Sequence, residues 1–237
     1  MSATAHITVE QYAAAFHQER LVEYRVIDAI EQRCGYALDR ERLESAARVL
    51  ACPVKKSPPN WQHGRVLYAL TRQYLEGRDC LNAIDIGTAK GFSALCILWA
   101  AHDAGVRGHI ASVDVLDPTA RVSRNTVAEV DGLKTLGEIL APWPEAQAIT
   151  FLKSTGQKWL HEHPERVHVA FVDGKHSYEA VSWEGALLAE RQQAGDLVMF
   201  DDVQIEGVAK AVKELRAYDI EYIDVLPNRR YALGVRR

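Results

Sequence analysis

Apolar positions along the chain change their period near residue 80. Before it they recur at helical spacing. Thr8 and Gln11 frame a capping box for a first helix, and Val22, Val26, Ala29 and Ile30 form the apolar face of a second that ends near Gly35. A third is predicted from Asp39, with Glu44 set between Arg40 and Arg48 at i,i+4 spacing. The turn-forming stretch from Cys52-Pro53 to Pro58-Pro59 interrupts the pattern. Asn60 is the predicted cap of a fourth helix running to about Glu76, with Val66, Leu67, Leu70 and Tyr74 on one side.

From Asn82 onward, short strand-like runs alternate with helical segments, at 83–87, 109–115, 148–153, 167–173, 196–202, 221–226 and 230–235. Such alternation predicts right-handed βαβ units around a mostly parallel sheet. Only a few turn residues around Pro227 and Asn228 join the last two runs, which suits an antiparallel hairpin and not a parallel crossover. The predicted fold class is α/β, a doubly wound, mostly parallel seven-stranded sheet with a terminal antiparallel hairpin. Residues 1–59 read as an N-terminal helical extension and 60–237 as the α/β domain. The long stretch from Asp117 to Gln147, with Pro118, Pro142 and Pro144, follows a strand end and is expected on the ligand-bearing side of the sheet.

The chain has 237 residues, 48% hydrophobic and 25% charged, enough for one sizeable core plus the extension. Its formal net charge of −4 disfavours nucleic acid or an anionic membrane as a partner and favours a small-molecule acceptor. Cys34, Cys52, Cys80 and Cys96 have no C-x-x-C spacing and lie in or near predicted helices, so they read as reduced packing thiols, without zinc. The N-terminal MSATAHITVEQ lacks a basic and apolar leader pattern, and no apolar run has membrane-spanning length. These features predict a soluble, cytoplasmic protein, with the N-terminal helices as a candidate homo-oligomer surface.

Candidate chemistry gathers at the strand ends. In Asp85-Ile86-Gly87-Thr88-Ala89-Lys90-Gly91-Phe92-Ser93, a strand leads through a glycine turn into a helix, offering backbone N–H groups to a nucleoside. The G-x-x-x-G spacing fits neither the dinucleotide G-x-G-x-x-G nor the phosphate loop G-x-x-x-x-G-K-[ST]. It is also an ordinary glycine turn of an α/β protein. The run Ile110 to Val113 ends in Asp114, suited to hold ribose hydroxyls or to stand solvated at a strand end. Two further strands run into Asp173-Gly174-Lys175-His176-Ser177-Tyr178 and Asp201-Asp202. Carboxylates converging at one sheet edge repel unless a cation holds them, and oxygen ligands suit a hard divalent ion such as Mg²⁺; three separate solvated ends are the alternative.

The glycine loop resembles motif I of class I S-adenosylmethionine-dependent methyltransferases. Over residues 60–237 the chain resembles their metal-dependent O-methyltransferase branch: the catechol type, and more so the bacterial group of macrolide-sugar O-methyltransferases and cephalosporin-hydroxylase-related proteins. That group carries D-G-x-H-x-Y-E before a later hydrophobic-D-D segment, matched here at 173–179 and 201–202. The resemblance implies S-adenosylmethionine as cofactor, contacted by Asp85, Gly87, Gly91, Ser93, Asp114, Thr155, Gln157 and Asp173, with Gln157 at the adenine. It implies a divalent metal on Asp173, Asp201 and Asp202, and His176 as general base where catechol-type enzymes carry a lysine. Asp202 departs from the Asn common at its position. Residues 64–74 resemble the helix before motif I, which makes His63 a further candidate contact. Lys175 reads as a solvated charge or a substrate contact, and Trp143 and Trp183 as core or interface aromatics. His102, His109, His161, His163 and His168 read as surface or core residues.

The implied reaction is methyl transfer to a hydroxyl of a phenol, sugar or natural product. An NAD-dependent oxidoreductase is disfavoured by the missing G-x-G-x-x-G, and a non-catalytic adenosyl-ligand-binding protein by the intact carboxylates and His176. A facial iron site would want two histidines and one carboxylate, whereas only His176 is close in sequence to the acidic set.

Overall fold

The computed structural model describes residues 8–54, 58–123 and 132–237. The chain start, part of the turn-forming stretch at 52–59 and the middle of the 117–147 insertion lie outside these residues. Three helices come first: α1 (Val9–Glu19), α2 (Arg25–Cys34) and α3 (Arg40–Leu50). Thr8 and Gln11 make the predicted capping box, and Asp39 caps α3 by accepting from the Arg42 N–H. The apolar face of α2 differs from expectation. Ile30 is buried as expected, but Val22 stands exposed in the turn before it and Ala29 is exposed, and Ile27 and Cys34 are buried beside Ile30. Glu44 does not link Arg40 to Arg48; it pairs with Arg20 of the α1–α2 turn at 2.5 Å.

Next come α4 (Gln62–Tyr74) and β1 (Cys80–Ile86), then α5 (Phe92–Asp103) and β2 (Arg107–Asp114). Asn60 accepts from the Gln62 N–H at 3.0 Å, but Trp61 takes the cap position expected for Asn60, which stands one residue before it. The insertion holds a two-residue ladder of β3 (Val122–Ser123) with β4 (Leu133–Lys134), then α6 (Leu136–Leu140) and a 3-10 turn at Pro144–Ala148. There follow β5 (Ile149–Lys153), α7 (Gly156–Glu162), β6 (Val169–Val172), α8 (Tyr178–Arg191), β7 (Leu197–Phe200) and α9 (Glu206–Glu214). The chain closes with β8 (Tyr218–Leu226) and β9 (Arg229–Arg236).

The seven-stranded sheet has the order β5-β2-β1-β6-β7-β9-β8. The first five strands are parallel, and β9 joins antiparallel to both β7 and β8, the predicted hairpin. Side chains alternate between its faces. Ala83 and Phe171 pack into the core formed with α4, α5 and the N-terminal helices, whereas Ile84, Ile86, Ala170 and Val172 pack toward α7, α8 and α9. The helical extension is therefore built into one of the two cores. A buried ion cluster ties it down further, in which Arg65 of α4 meets Glu31 and, at 2.5 Å, Asp28 of α2. Three cysteines are buried free thiols, but Cys80, at the start of β1, is exposed and packs in no core. Among the described residues, no helix is long and apolar enough to cross a membrane.

From β1 the sheet grows outward through β2 to β5, and the chain then returns to place β6 on β1's other side. This reversal opens a crevice beyond the carboxyl ends of β1 and β6, the usual place for a ligand in such sheets.

Candidate active site

The glycine turn after β1 is fixed by close backbone approach. Gly87 has φ +100°, and a Cβ there would lie 2.2 Å from the carbonyl oxygen of Asp173. Only glycine fits between the two strand ends. Gly91 starts α5 in a left-handed conformation, and Ala89 adopts φ +46°. Asp114 steadies that turn: its two carboxylate oxygens accept from the Ala89 and Leu116 N–H groups, each at 2.9 Å.

A cavity of about 440 Å³ opens above the turn. Gly87 and Asp173 border one part, Asp114 and Val115 another, and Thr155, Gly156 and Gln157 a third, at the start of α7. Ile86, Ala180 and Glu184 also line it. Of the cofactor contacts expected from sequence, Gly87, Asp114, Thr155, Gln157 and Asp173 thus share one cavity.

Asp85, Ser93 and Gly91 are not among its lining residues. Asp85 is wholly buried beneath the loop and accepts from the Ser93 and Ser112 hydroxyls, each at 2.6 Å. Burial pushes its carboxyl up to about 6, against the pull of these two donors. Gly91 faces Phe151 and Leu140. These three residues shape the turn from below. His63 is buried as well, its ring stacked on Phe171 at 5.6 Å and edge-on to Phe92 at 5.2 Å, which makes it a core histidine.

The acidic residues converge at the Asp173 side of the cavity, but not as the expected trio. Asp201 is buried and turned inward: Oδ1 accepts from the Asp202 N–H at 2.5 Å, and Oδ2 meets Arg229 Nη2 at 3.0 Å. The other arm of the same guanidinium, Nη1, holds Asp202 Oδ1 at 2.7 Å. Burial, with Asp173 beside it, pushes the Asp201 carboxyl up, while Arg229 pulls it down. Asp202 itself has φ +53°, a strained conformation for a non-glycine residue that turns its carboxylate back toward His176. His176 Nε2 lies 3.1 Å from Asp173 Oδ1 and 3.4 Å from Asp202 Oδ2. The hydrogen bond to Asp173 and the nearby acids push the imidazole pKa up against its partial burial.

One ligand-type atom each from Asp173, His176 and Asp202 falls within 4.8 Å of the others. Two carboxylates and an imidazole fit a divalent cation, whereas Asp201 has both oxygens engaged by the protein. Sequence reasoning missed Arg229 and Glu184. Arg229 stands on the hairpin, 27 residues beyond Asp202, where no local spacing announces the pairing. Glu184 sits mid-helix and is 97% buried, with Oε2 lacking a hydrogen-bond partner among the described residues. Lys175 lines the cavity mouth, and Trp183, expected in a core or interface, is exposed on α8.

No curated protein matches the chain in sequence. Among solved structures, it is similar to the O-methyltransferase TomG of Streptomyces achromogenes, described as involved in tomaymycin synthesis and solved in complex with SAM. That likeness is 13% identical with a TM-score of 0.58, covering 84% of this chain and 91% of TomG. An O-methyltransferase of Bacillus cereus, in complex with SAH, is 11% identical with a TM-score of 0.54, covering 97% of this chain and all of its own. An rRNA methylase of Streptococcus thermophilus is 11% identical with a TM-score of 0.53, covering 73% of this chain and 95% of its own. At such identities the likeness is one of fold. A family model described as a methyltransferase domain matches residues 84–203, from the glycine turn through the acidic pair. The chain belongs to this methyltransferase-domain family.

Proposed function

We propose that the protein transfers the methyl group of S-adenosylmethionine to a hydroxyl of a small-molecule acceptor, assisted by a divalent cation on Asp173, His176 and Asp202. The observation that carries this reading is the double role of Asp173, which borders the cavity beside Gly87 and Asp114 and also belongs to the cation-ligand cluster. A cofactor in the cavity and an acceptor at the cluster would therefore meet at one residue.

Within that reading, Asp114 receives the ribose hydroxyls, the turn at Gly87 admits the methionine portion, and Thr155 to Gln157 flank the base. Charge balance supports the cation. Asp173, Asp201 and Asp202 crowd one guanidinium, Arg229, and a divalent ion would relieve the repulsion that pushes the Asp201 carboxyl up. Such a cation lowers the pKa of an acceptor hydroxyl. Arg229 and Asp201 hold Asp202 in its strained turn, so that its free oxygen faces His176. The sulfonium methyl is already electrophilic, and the main task left to the protein is alignment.

A second reading keeps the transfer and makes His176 the general base without a cation. The 3.1 Å hydrogen bond of Nε2 to Asp173, with Asp202 Oδ2 at 3.4 Å, favours it, because carboxylates beside Nε2 orient the ring and stabilise the imidazolium formed when Nδ1 takes a proton. Transfer assays with phenol, sugar and natural-product hydroxyls, on chelated and metal-supplemented protein, separate the two. Loss of activity on chelation and recovery with one divalent ion supports the cation; full activity in chelator supports the base. Failure to bind S-adenosylmethionine or S-adenosylhomocysteine overturns both.

A further inference from the structure

Glu184 lies outside the acidic cluster, yet it is 97% buried and Oε2 has no hydrogen-bond partner among the described residues. Burial pushes its carboxyl up to about 7, and among the described residues no donor or cation offsets it. An unpaired buried acid is costly, and such groups are retained where something else completes them. Its carrier is rigid: α8 is capped by Ser177, whose hydroxyl accepts from the Ala180 N–H at 3.3 Å. The neighbouring turn makes room for it as well. A Cβ on Gly156 would come within 2.7 Å of Glu184 Oε1, so the glycine leaves the carboxylate its place at the cavity wall.

The position indicates which part of a ligand it would meet. Gly87 and Asp173 occupy one part of the cavity and Asp114 another, while Glu184 adjoins Gly156, between Thr155 and Gln157. With ribose at Asp114 and the methionine portion at Gly87, the base is directed toward Gly156 and Glu184. We propose that Glu184 reads the adenine ring, its carboxylate accepting a hydrogen bond from the exocyclic amine; this assignment rests on the S-adenosylmethionine reading above. With the carboxylate ionised, a carbonyl in place of that amine would set an acceptor against an acceptor, the type of mismatch that buried polar sites reject strongly.

The test is calorimetric titration of the full chain, above pH 7 where Glu184 is ionised, with S-adenosylhomocysteine and with S-inosylhomocysteine, in which a carbonyl replaces the amine. Wild type should prefer the adenosyl ligand by at least ~10-fold. Glu184→Gln, whose amide offers a donor or an acceptor by rotation, should bring the two affinities together, while Glu184→Ala should lose both adenosyl affinity and discrimination. Equal affinity of wild type for the two ligands overturns the assignment without needing any variant to fold. An unchanged preference in a folded Glu184→Gln protein also overturns it. No binding of S-adenosylhomocysteine by wild type removes the cofactor reading itself, an outcome distinct from tight but undiscriminating binding.

Discussion

Arg229 Nη1 lies 2.7 Å from Asp202 Oδ1 while Nη2 of the same guanidinium lies 3.0 Å from Asp201 Oδ2, so one hairpin residue spans both acids at the end of β7. Removing one partner of a buried pair leaves the other charge uncompensated, typically at about 3–5 kcal/mol. Arg229→Met should destabilise the protein by that amount in denaturant unfolding. Adding Asp201→Asn should recover much of the loss, because the orphaned charge goes with it. A single variant as stable as wild type would show that the ion pair does not hold this edge.

Much of the fold was legible because its signals are local. The seven strand-like runs and the hairpin around Pro227 and Asn228 depend on period and turn chemistry within short windows, and each run meets an observed strand within a few residues. Pairings across the chain were not legible. Glu44 had helical neighbours of the right sign in Arg40 and Arg48, but Arg20 from another segment took it. Asp85 and Ser93 sit in the motif yet serve each other below the loop, since a sequence does not reveal on which side of a turn a carboxylate falls. Arg229 and Glu184 carried no local signature, as their roles come from the return of the hairpin to β7 and from the packing of α8 against α7.

Gly87→Ala should damage folding and cofactor binding together. The new methyl group meets the Asp173 carbonyl at 2.2 Å, and φ +100° is foreign to alanine. Strain alone costs about 1–3 kcal/mol, and the clash adds to it by parting β1 from β6. Thermal melting should fall by several degrees, and titration should show no S-adenosylhomocysteine binding under conditions that saturate wild type. Native affinity in the variant would mean that the turn is not the cofactor's cradle.

Asp114→Ala removes the proposed ribose ligand and also the acceptor for the Ala89 and Leu116 N–H groups. Two hydroxyls and two amides lose their partner, so affinity for S-adenosylhomocysteine should drop by about 10²-fold or more. Asp114→Asn keeps one acceptor oxygen and should fall between. Calorimetry that ranks the three proteins in any other order would place the ribose elsewhere.

Stability should decline as pH rises through the range in which Glu184 and Asp85 ionise. Burial lifts Glu184 from an ordinary 4.5 to about 7 and Asp85 from 3.8 to about 6, so the folded state favours both protonated forms. Their contribution is fully present below the unfolded values and is lost as pH climbs through the folded ones. For Glu184 the shift corresponds to about 3 kcal/mol between pH 4.5 and 7. Unfolding free energies of ligand-free Glu184→Gln should show a shallower fall across that window than wild type. Parallel curves would show that the wild-type carboxyl is solvated or paired in solution.

Cation binding should separate Asp201 from Asp202, although the two are adjacent in sequence. Asp202 presents Oδ2 toward His176 and Asp173, whereas Asp201 gives its oxygens to Arg229 and the Asp202 N–H. Asp173→Asn, Asp202→Asn and His176→Ala should each abolish stoichiometric binding of Mn²⁺ or Mg²⁺. Asp201→Asn should retain one site per chain, weakened by about 10–100-fold, the usual effect of losing a group that orients a ligand. Titration followed by manganese paramagnetic resonance gives the stoichiometry directly. Should Asp201→Asn abolish binding while His176→Ala preserves it, the cation lies on the three aspartates and His176 is free to act on the acceptor's proton.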